Sequence, residues 1–551
     1  MADVIRLRRG TAAQWTTKDP VLGAGEPGFE TDTGLHKIGN GELAWSDLPY
    51  FLDEPGLETW YATHPPTVTP GGLVTNVKDS RFGAVGDGEH DDTAAIQQAL
   101  DETADGGICF LPPGTYLVGS ATPSILTGRP GVTLVGVGCA ASVVEVAPTS
   151  TATRVLNLSR ASDSGVRDVG FDAAGNPVVL SGVWASALNG QRNLWVRGCR
   201  FTGFMPGSTS ATHAAVYVWT SDGVHVADNQ FVDCGRAITV DQPDGAARVV
   251  GNQISAGEPG IMATGILVRR ASGASEGEVE VSGNRVTGAR NDPGGVGAEG
   301  HGIAVFRCRD VQVAQNHVED NGRGILVSNQ SFGAVVQGNT CVGNHDAGIR
   351  CEPEITAQDV GVGAGAPRGV TVIGNVSRNN ASVGSPSGAN TGIGIVLSYA
   401  AGSVVSGNVV HDNSGDGIAC DSDRVTIAGN VVFNNWSGYT TDPTNGKRGG
   451  IRVYAATGCV VVGNQCYDNK ASKTQQYGLS LSQPGGAHLV LNNNLAGNGT
   501  GEIFGADRVV TGFFGASPVT RRPNPGTANL INAPDVLNNL VQSLRELGLI
   551  T

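Results

Sequence analysis

Short runs of alternating apolar and polar residues recur along more than half of the chain. In several runs, the positions five and three before an asparagine are aliphatic, as with Val279 and Val281 before Asn284. A period of two is typical of a half-buried β-strand. In most repeats another apolar residue stands two positions after the asparagine, and a third segment beginning Gly-Ile follows. The pattern predicts three short strands per repeat.

The asparagines set the length of the repeat. They are separated by 22 to 36 residues, so we interpret the shortest spacing as one coil and longer spacings as a coil with an inserted loop. The predicted fold class is all-β, a right-handed single-stranded parallel β-helix whose coils stack about 4.8 Å apart. Stacked asparagines should hydrogen-bond along one structural column. Its predicted members are Asn284, Asn316, Asn339, Asn375, Asn408, Asn430, Asn464 and Asn493.

Backbone preferences predict the turns between these strands. Gly407 and Asn408 suit a turn with positive φ, because glycine and asparagine tolerate that conformation best. A second corner is expected at Asn413, five residues later. The same corner recurs at Asn321, Asn344, Asn380, Asn435, Asn469 and Asn498. All these asparagines are interpreted as structural, because they are too regular to be a catalytic set.

The sequence predicts a β-helix over residues 120–516. Residues 77–119 are predicted to form a cap that closes one end of this β-helix. Asp91 or Asp92 is a suitable N-cap for an amphipathic helix. Its expected apolar face consists of Ala95, Ile96, Ala99 and Leu100. This stretch, from Phe-Gly-Ala-x-Gly-Asp-Gly through Asp-Asp-Thr to Pro-Pro-Gly-Thr-Tyr, closely resembles the opening of the pectate-lyase-like β-helix superfamily. The resemblance implies the same fold, with the acidic residues acting as caps and turn formers.

The N-terminal residues carry a second resemblance. Arg8-Arg9-Gly10-Thr11, Trp15 and Glu30-Thr31-Asp32-Thr33-Gly34 are similar to the small N-terminal module of many bacteriophage tail fibres and tail spikes. The resemblance implies a virion-attachment module at 1–52 that docks on a tail or baseplate protein. It also implies a minor tail protein that forms a homotrimer. Residues 53–76, rich in Pro, Gly and Thr, predict a linker.

Residues 517–533 are predicted to be a second linker, and residues 534–551 are predicted to form a short C-terminal helix. Leucines at heptad-like spacing mark its apolar face, namely Leu537, Leu540, Leu544 and Leu547. Three copies would form a short bundle in a trimer. The alternative is a single helix packed on its own β-helix.

Composition narrows the classes of function. The formal net charge of −14 would repel a phosphate backbone, which argues against nucleic acid as a ligand. No apolar run reaches the length of a membrane span, and the first residues lack the apolar core of a secretory signal. We therefore expect no membrane insertion, and assembly in the host cytoplasm before incorporation into the virion tail. The 10 cysteines lack CxxC pairs and are expected to be buried free thiols.

Stacking in register predicts a pair of carboxylates on the outer face of the third strands. Ile349 and Cys351 should point inward, so Glu352 points outward, and Asp421 does so by the same alternation. Counting coils places Glu352 and Asp421 on the order of 9.6 Å apart. Two carboxylates about 6.5–9.5 Å apart can flank a sugar bond and a water in an inverting glycosidase. We predict them as a catalytic pair, with Glu354, Asp423 and Arg350 nearby.

Aromatic residues near this pair are candidates for stacking on sugar rings. The predicted glycan-binding residues are Tyr399, Trp436, Tyr439, Tyr454 and Arg452. The alternative is that these outer positions are polar only because water covers them. Arg350 beside Glu352 also leaves lyase chemistry open. The chain contains no P-loop, nucleophile elbow or zinc-protease motif, and we predict neither a cofactor nor a metal site.

Three functions remain open from the sequence. The leading hypothesis is a tail spike or tail fibre that binds a host envelope polysaccharide. The second is a depolymerase that cleaves this polysaccharide by hydrolysis or elimination on the same β-helix. The third is a passive structural protein of the virion.

Overall fold

The computed structural model divides into two compact units, Met1–Met205 with Ala215–Gln230 and Pro206–Ala214 with Phe231–Thr551. The structure describes residues 8–48, 50, 73–186, 190–204, 213–258, 260–270, 278–290, 300–353, 365–381, 392–437, 449–482, 486–510 and 542. The predicted segments at 517–533 and 534–551 lie outside these residues, apart from Gln542. We refer to the two compact units as unit 1 and unit 2.

The N-terminal module in unit 1 has its own small core. Its elements are the strands Arg8–Gly10, Pro27–Glu30 and His36–Ile38, the helix Ala12–Lys18 and the 3-10 turn Trp45–Asp47. Thr11 is the N-cap of the helix and forms a capping box with Gln14. The Thr11 hydroxyl accepts from the Gln14 backbone N–H, and the Gln14 side chain accepts from the Thr11 backbone N–H. The rings of Trp15 and Trp45 stack with centroids 4.1 Å apart. The core consists of Trp15, Leu22, Trp45 and Leu48.

Beyond the module, both units consist of coils with three strands each. The first strands are Val74–Asn76, Ile108–Leu111, Thr133–Gly136, Ser164–Arg167, Arg192–Arg197, Asp222–Ala227, Ala247–Val250, Val279–Ser282, Val311–Ala314, Val335–Gln337, Thr371–Ile373, Val404–Ser406, Thr426–Ala428, Val460–Val462, His488–Leu491 and Val509–Val510. The second strands are Asp87–Asp91, Gly114–Val118, Ser142–Val146, Gly170–Asp172, Arg200–Thr202, Gln230–Val232, Gln253–Ser255, Arg285–Thr287, His317–Glu319, Thr340–Val342, Val376–Arg378, Val409–His411, Val431–Phe433 and Gln465–Tyr467. The third strands are Ser124–Thr127, Arg154–Asn157, Ser181–Ser186, Val216–Trp219, Arg236–Asp241, Thr264–Arg269, His301–Phe306, Arg323–Ser328, Ala347–Glu352, Ile393–Ser398, Ile418–Asp421, Gly449–Tyr454, Tyr477–Ser482 and Gly501–Phe504.

Within each unit, strands of one kind pair in parallel with the corresponding strands of neighbouring coils. The inward side chains are aliphatic and fully buried, as Val279 and Val281 illustrate. Alternation therefore places one face of every strand in a continuous interior, and the predicted parallel β-helix is confirmed. All ten cysteines are free, and nine are buried. No helix among the described residues is long and apolar enough to cross a membrane.

The predicted asparagine column is present in unit 2. Each member donates its backbone N–H and its Nδ2 to Oδ1 of the next, over 2.8–3.0 Å. Asn252, one coil before the predicted members, donates to Asn284 in the same way. Each Nδ2 also donates to a carbonyl of an adjoining coil, as from Asn408 to Val372. The side chains thus satisfy backbone groups that the turn leaves unpaired inside the coil.

The expectation of positive φ at these asparagines was wrong. Gly407 has φ 63°, whereas Asn408 is not among the residues with positive φ. The left-handed turn residue is the one before each asparagine, and Gln315 (φ 56°) occupies that position before Asn316. The asparagine keeps a negative φ, and its side chain reaches the next asparagine of the column.

A second column follows the other corner but ends differently from the prediction. Asn321, Asn344, Asn380, Asn413 and Asn435 donate in sequence to the next member. Asn435 then donates to Oε1 of Gln475, and Gln475 donates to Asn498. The predicted member Asn469 is exposed, and its backbone N–H donates to Asn434 instead. The longer glutamine side chain takes its place from a different position of the coil.

The cap helix runs over Thr93–Glu102 and buries Ile96, Ala99 and Leu100, while Ala95 is half-buried. Asp92 occupies the N-cap position, but its carboxylate accepts from the N–H groups of Val85 and Gly86. The predicted linker at 53–76 ends too late, because Val74–Asn76 is a first strand and pairs in parallel with Ile108–Phe110. Residues 53–72 of this linker lie outside the described residues.

Candidate functional site

The predicted carboxylate pair lies on the outer face of the third strands in unit 2. Ile349, Cys351, Ile418 and Cys420 are buried in the interior, as expected. Arg350 pairs in register with Val396, and Val396 pairs with Ala419. Glu352, two residues after Arg350, therefore lies two coils from Asp421, on the order of 9.6 Å along the axis. The predicted alternation and the count of two coils agree with the structure.

This outer face is less solvated than the sequence suggested. Arg350 is only 8 % exposed and Ala419 only 5 %. Ala419 belongs to an apolar cluster with Ala347, Ile393 and Val396. Arg350 pairs in register with Val396 of this cluster. Outer positions of these strands therefore bury apolar and charged side chains together. A buried charge needs a partner, and the partners organise the site.

Glu352 belongs to a network of four alternating charges. Its Oε2 accepts from Nη1 of Arg350 at 2.8 Å, and its Oε1 lies 3.4 Å from Nη2 of Arg323. Asp346 bridges the same two guanidiniums, at 2.7 Å from Arg323 and 3.2 Å from Arg350. Two arginines thus hold the Glu352 carboxylate in a fixed position.

Asp421 has a different environment. Its Oδ2 accepts from Oγ of Ser398 at 3.1 Å. Its Oδ1 is buried and accepts no hydrogen bond in the part of the chain that the structure describes. Burial raises the pKa of the Asp421 carboxyl, and the charge of Glu352 raises it further, against the hydrogen bond from Ser398. A raised pKa favours the protonated carboxyl, which is the form that can donate a proton.

A cleft of about 550 Å³ opens beside Asp421. Tyr399 projects there, is 50 % exposed and has φ 56°. Asp423 also lines the cleft, but its Oδ1 accepts from N and Oγ1 of Thr457 and so closes a turn. The lining residues are Arg368, Tyr399, Ala401, Gly402, Asp421, Ser422, Asp423, Arg424 and Ala455. The cleft offers two carboxyl groups, one aromatic ring and guanidiniums to a ligand.

Trp436 does not contribute to this surface. It is 1 % exposed, and its Nε1 donates to Oδ1 of Asp416 at 2.8 Å. Nε of Arg452 donates to the other oxygen of Asp416 at 2.5 Å. Burial raises the pKa of Asp416, although Arg452 and Trp436 oppose the shift. The expectation that Trp436 stacks on a sugar was wrong, because the indole serves to hold a buried carboxylate.

Of the remaining predicted residues, Arg452 and Tyr454 lie on one strand, in the coil after Asp421. Tyr454 is 39 % exposed, and the pairing of Cys420 with Val453 places it beside Asp421 on the next coil. The Arg452 guanidinium lies 5.9 Å from the Tyr454 ring centroid. Tyr439 and Glu354 lie outside the described residues.

Sequence reasoning missed Asp346 and Asp416, the carboxylates that pair with the buried arginines. Both stand just before a Gly-Ile segment, in "HDAGI" and "GDGI", so their position in the repeat was the available signal. Among the described residues, no three His, Cys, Asp or Glu side chains are grouped so that they could hold a metal ion.

Three family profiles match parts of the chain. The profile described as "Rhamnogalacturonase A/epimerase, pectate lyase-like" matches residues 74–180. "Major tropism determinant N-terminal domain" matches residues 5–43, and "Periplasmic copper-binding protein (NosD)" matches residues 364–505. The first match supports the resemblance to pectate-lyase-like β-helices, and the second covers most of the small N-terminal module.

Individual relatives match shorter portions. Mannuronan C5-epimerase AlgE6 from Azotobacter vinelandii is 40% identical over 108 residues, which are 18% of this chain and 12% of the epimerase. The chain thus spans only a small part of this curated relative. A GH87 α-1,3-glucanase from Streptomyces thermodiastaticus matches 81% of this chain and 71% of its own, at 15% identity and TM-score 0.47. The Dettilon tailspike protein matches 78% and 68%, at 16% identity and TM-score 0.40.

Proposed function

We propose that this chain is a tail spike or tail fibre protein of a bacteriophage virion whose β-helix binds a host cell-surface polysaccharide. The observation that carries the binding role is the cleft beside Asp421. A half-exposed aromatic ring, Tyr399, stands there next to charged and backbone polar groups. Pockets that bind small ligands combine apolar or aromatic walls with a few polar groups that fix orientation. A sugar ring has both kinds of surface.

The virion assignment rests on residues 5–43. Their profile is named for a tropism determinant, a protein that sets which host is recognised. In our proposal this module attaches the chain to a tail or baseplate protein. The protein is then a homotrimer and a minor tail component, assembled in the host cytoplasm. Residues 1–52 form the attachment module and the remainder presents the β-helix.

The second candidate function is cleavage of the bound polysaccharide. Its specific support is the raised pKa of Asp421 in the cleft, two coils from the arginine-held carboxylate of Glu352. In an inverting hydrolysis, Asp421 would protonate the leaving glycosidic oxygen while Glu352 takes a proton from the attacking water. The chain also matches part of a mannuronan epimerase and part of an alginate lyase from Azotobacter vinelandii.

The experiment is incubation of the full chain with isolated envelope polysaccharide of a susceptible host. Chain length, new reducing ends and absorbance from unsaturated products are followed. The variants are Tyr399→Ala, Asp421→Asn and Glu352→Gln, with Asp105→Asn as control because its carboxylate side chain is 84% exposed and lies outside unit 2.

Binding that Tyr399→Ala weakens and Asp105→Asn preserves would support the proposed function. New reducing ends that Asp421→Asn abolishes, with binding retained, would support hydrolysis as well. Unsaturated products would indicate a lyase. Neither binding nor cleavage by the wild-type chain would refute both functions and leave the passive structural role.

A further inference from the structure

Unit 1 has a cleft of its own, on the outer face of its first strands. Its volume is about 760 Å³. Three parallel neighbours form its floor, Ser164–Arg167, Arg192–Arg197 and Asp222–Ala227. The polar and aromatic residues that line it are Asp163, Arg167, Asn193, Trp195, Arg197 and His225. None of them takes part in the site described above.

Trp195 forms a flat aromatic wall in this cleft. It pairs in register with Gly165 on one side and His225 on the other. A Cβ added to Gly165 would lie 2.5 Å from Cδ1 and 2.6 Å from Cγ of the indole. The indole therefore lies against the bare backbone of Gly165, where any other residue would displace it. Trp195 is only half-buried, so part of the ring system remains available in the cleft.

The guanidiniums beside Trp195 differ in what they already bind. Arg197 lies 3.2 Å from Asp228, and Arg192 lies 3.4 Å from Asp163. Arg167 pairs in register with Arg197 and is exposed. Among the described residues, no carboxylate or carbonyl accepts a hydrogen bond from Arg167. In a protein with a formal net charge of −14, an unneutralised arginine next to an aromatic wall favours an anionic ligand.

We propose that this cleft is a second glycan-binding site, specific for a sugar that carries a carboxylate. The apolar face of the hexose stacks on Trp195, and the carboxylate binds the Arg167 guanidinium, whose planar fork matches it. Asn193 already donates to Asp163 at 2.7 Å, so one oxygen of this carboxylate has a partner within the cleft. The proposal rests on the proposed function, because it names the class of polysaccharide that the β-helix binds.

The test is affinity electrophoresis of the full chain in gels that contain an acidic or a neutral polysaccharide. Polygalacturonate, alginate and hyaluronate are the acidic probes, and methyl-esterified polygalacturonate and dextran are the neutral ones. We expect Trp195→Ala and Arg167→Ala each to weaken binding of at least one acidic probe about tenfold or more. The matched controls are Trp219→Ala, another half-buried tryptophan of unit 1, and Arg200→Ala, another exposed arginine. Both should bind like the wild type.

The site is supported if an acidic polysaccharide in the gel retards the wild-type chain and Arg200→Ala but not Arg167→Ala. Equal retention by neutral and acidic probes, or no retention by any acidic probe, overturns it. Should Trp195→Ala fail to fold, the exposed Arg167→Ala variant decides alone. Loss of binding in Tyr399→Ala with no change in Arg167→Ala would overturn this inference and preserve the proposed function. Loss of binding in Arg167→Ala with no change in Tyr399→Ala would support the cleft in unit 1 and refute the site beside Asp421.

Discussion

Removing one asparagine from the middle of the column should destabilise unit 2 strongly. The Asn408 side chain makes four hydrogen bonds. Its Oδ1 accepts from the backbone N–H and from Nδ2 of Asn375, each at 2.9 Å. Its Nδ2 donates to the Val372 carbonyl at 3.0 Å and to Oδ1 of Asn430 at 2.9 Å. The residue is fully buried, so water does not replace these bonds in the folded coil.

The magnitude follows from the groups that Asn408→Ala would leave without a partner. Nδ2 of Asn375 still donates to the carbonyls of Val336 and Ile373, and Oδ1 of Asn430 still accepts from the Asn408 backbone. In the variant, the Asn375 backbone N–H and the Val372 carbonyl each lose the Asn408 side chain as a hydrogen-bond partner. Each buried unsatisfied group costs about 1–3 kcal/mol, so we expect a loss of about 2–6 kcal/mol.

Hydrogen exchange measured by mass spectrometry suits this prediction, because stability in a repeat protein is local. The free energy of opening of residues 370–381 and 404–413 should fall in Asn408→Ala by the stated amount. Asn469→Ala is the matched control, because sequence spacing assigns it to the second column although the structure leaves its side chain exposed. We expect Asn469→Ala to change the free energy by less than about 0.5 kcal/mol. Equal effects of the two variants would refute the reasoning.

Three further predictions concern buried polar groups. Because burial raises the pKa of Asp421 above 3.8, its contribution to stability falls as pH rises through that raised pKa. Asp421→Asn should therefore flatten the dependence of the urea midpoint on pH at pH values above 3.8, and an unchanged slope would contradict this. Trp436→Phe removes a hydrogen bond to the buried Asp416 and should cost about 1.5–3 kcal/mol in urea unfolding, whereas Tyr399→Phe should cost almost nothing. Burial and neighbouring arginines lower the pKa of His301 to about 3, so its imidazole NMR signals should not titrate above about pH 5, and stability should be lost as pH falls below 6.5.

The candidate site was predictable where it depends on register. The alternation of Ile349 and Cys351 with Arg350 and Glu352 requires only strand geometry, and the coil count gave the separation from Asp421. The role of Trp436 was not predictable, because its partner Asp416 lies twenty residues earlier, in a turn of the preceding coil. Contacts of this kind depend on how far each inserted loop displaces the chain, which one sequence does not specify.

The repeat itself determined the fold. Alternating aliphatic residues, a regular asparagine and a Gly-Ile segment require three strands per coil, because only stacking buries every aliphatic face and pairs every asparagine. Tertiary structure alone decided which residue occupies each corner and which charges face each other. Gln475 replaces Asn469 because hydrogen bonding depends on where an amide lies in space. Arg350 is buried beside Glu352 because neighbouring coils supply Arg323 and the apolar side chains around it.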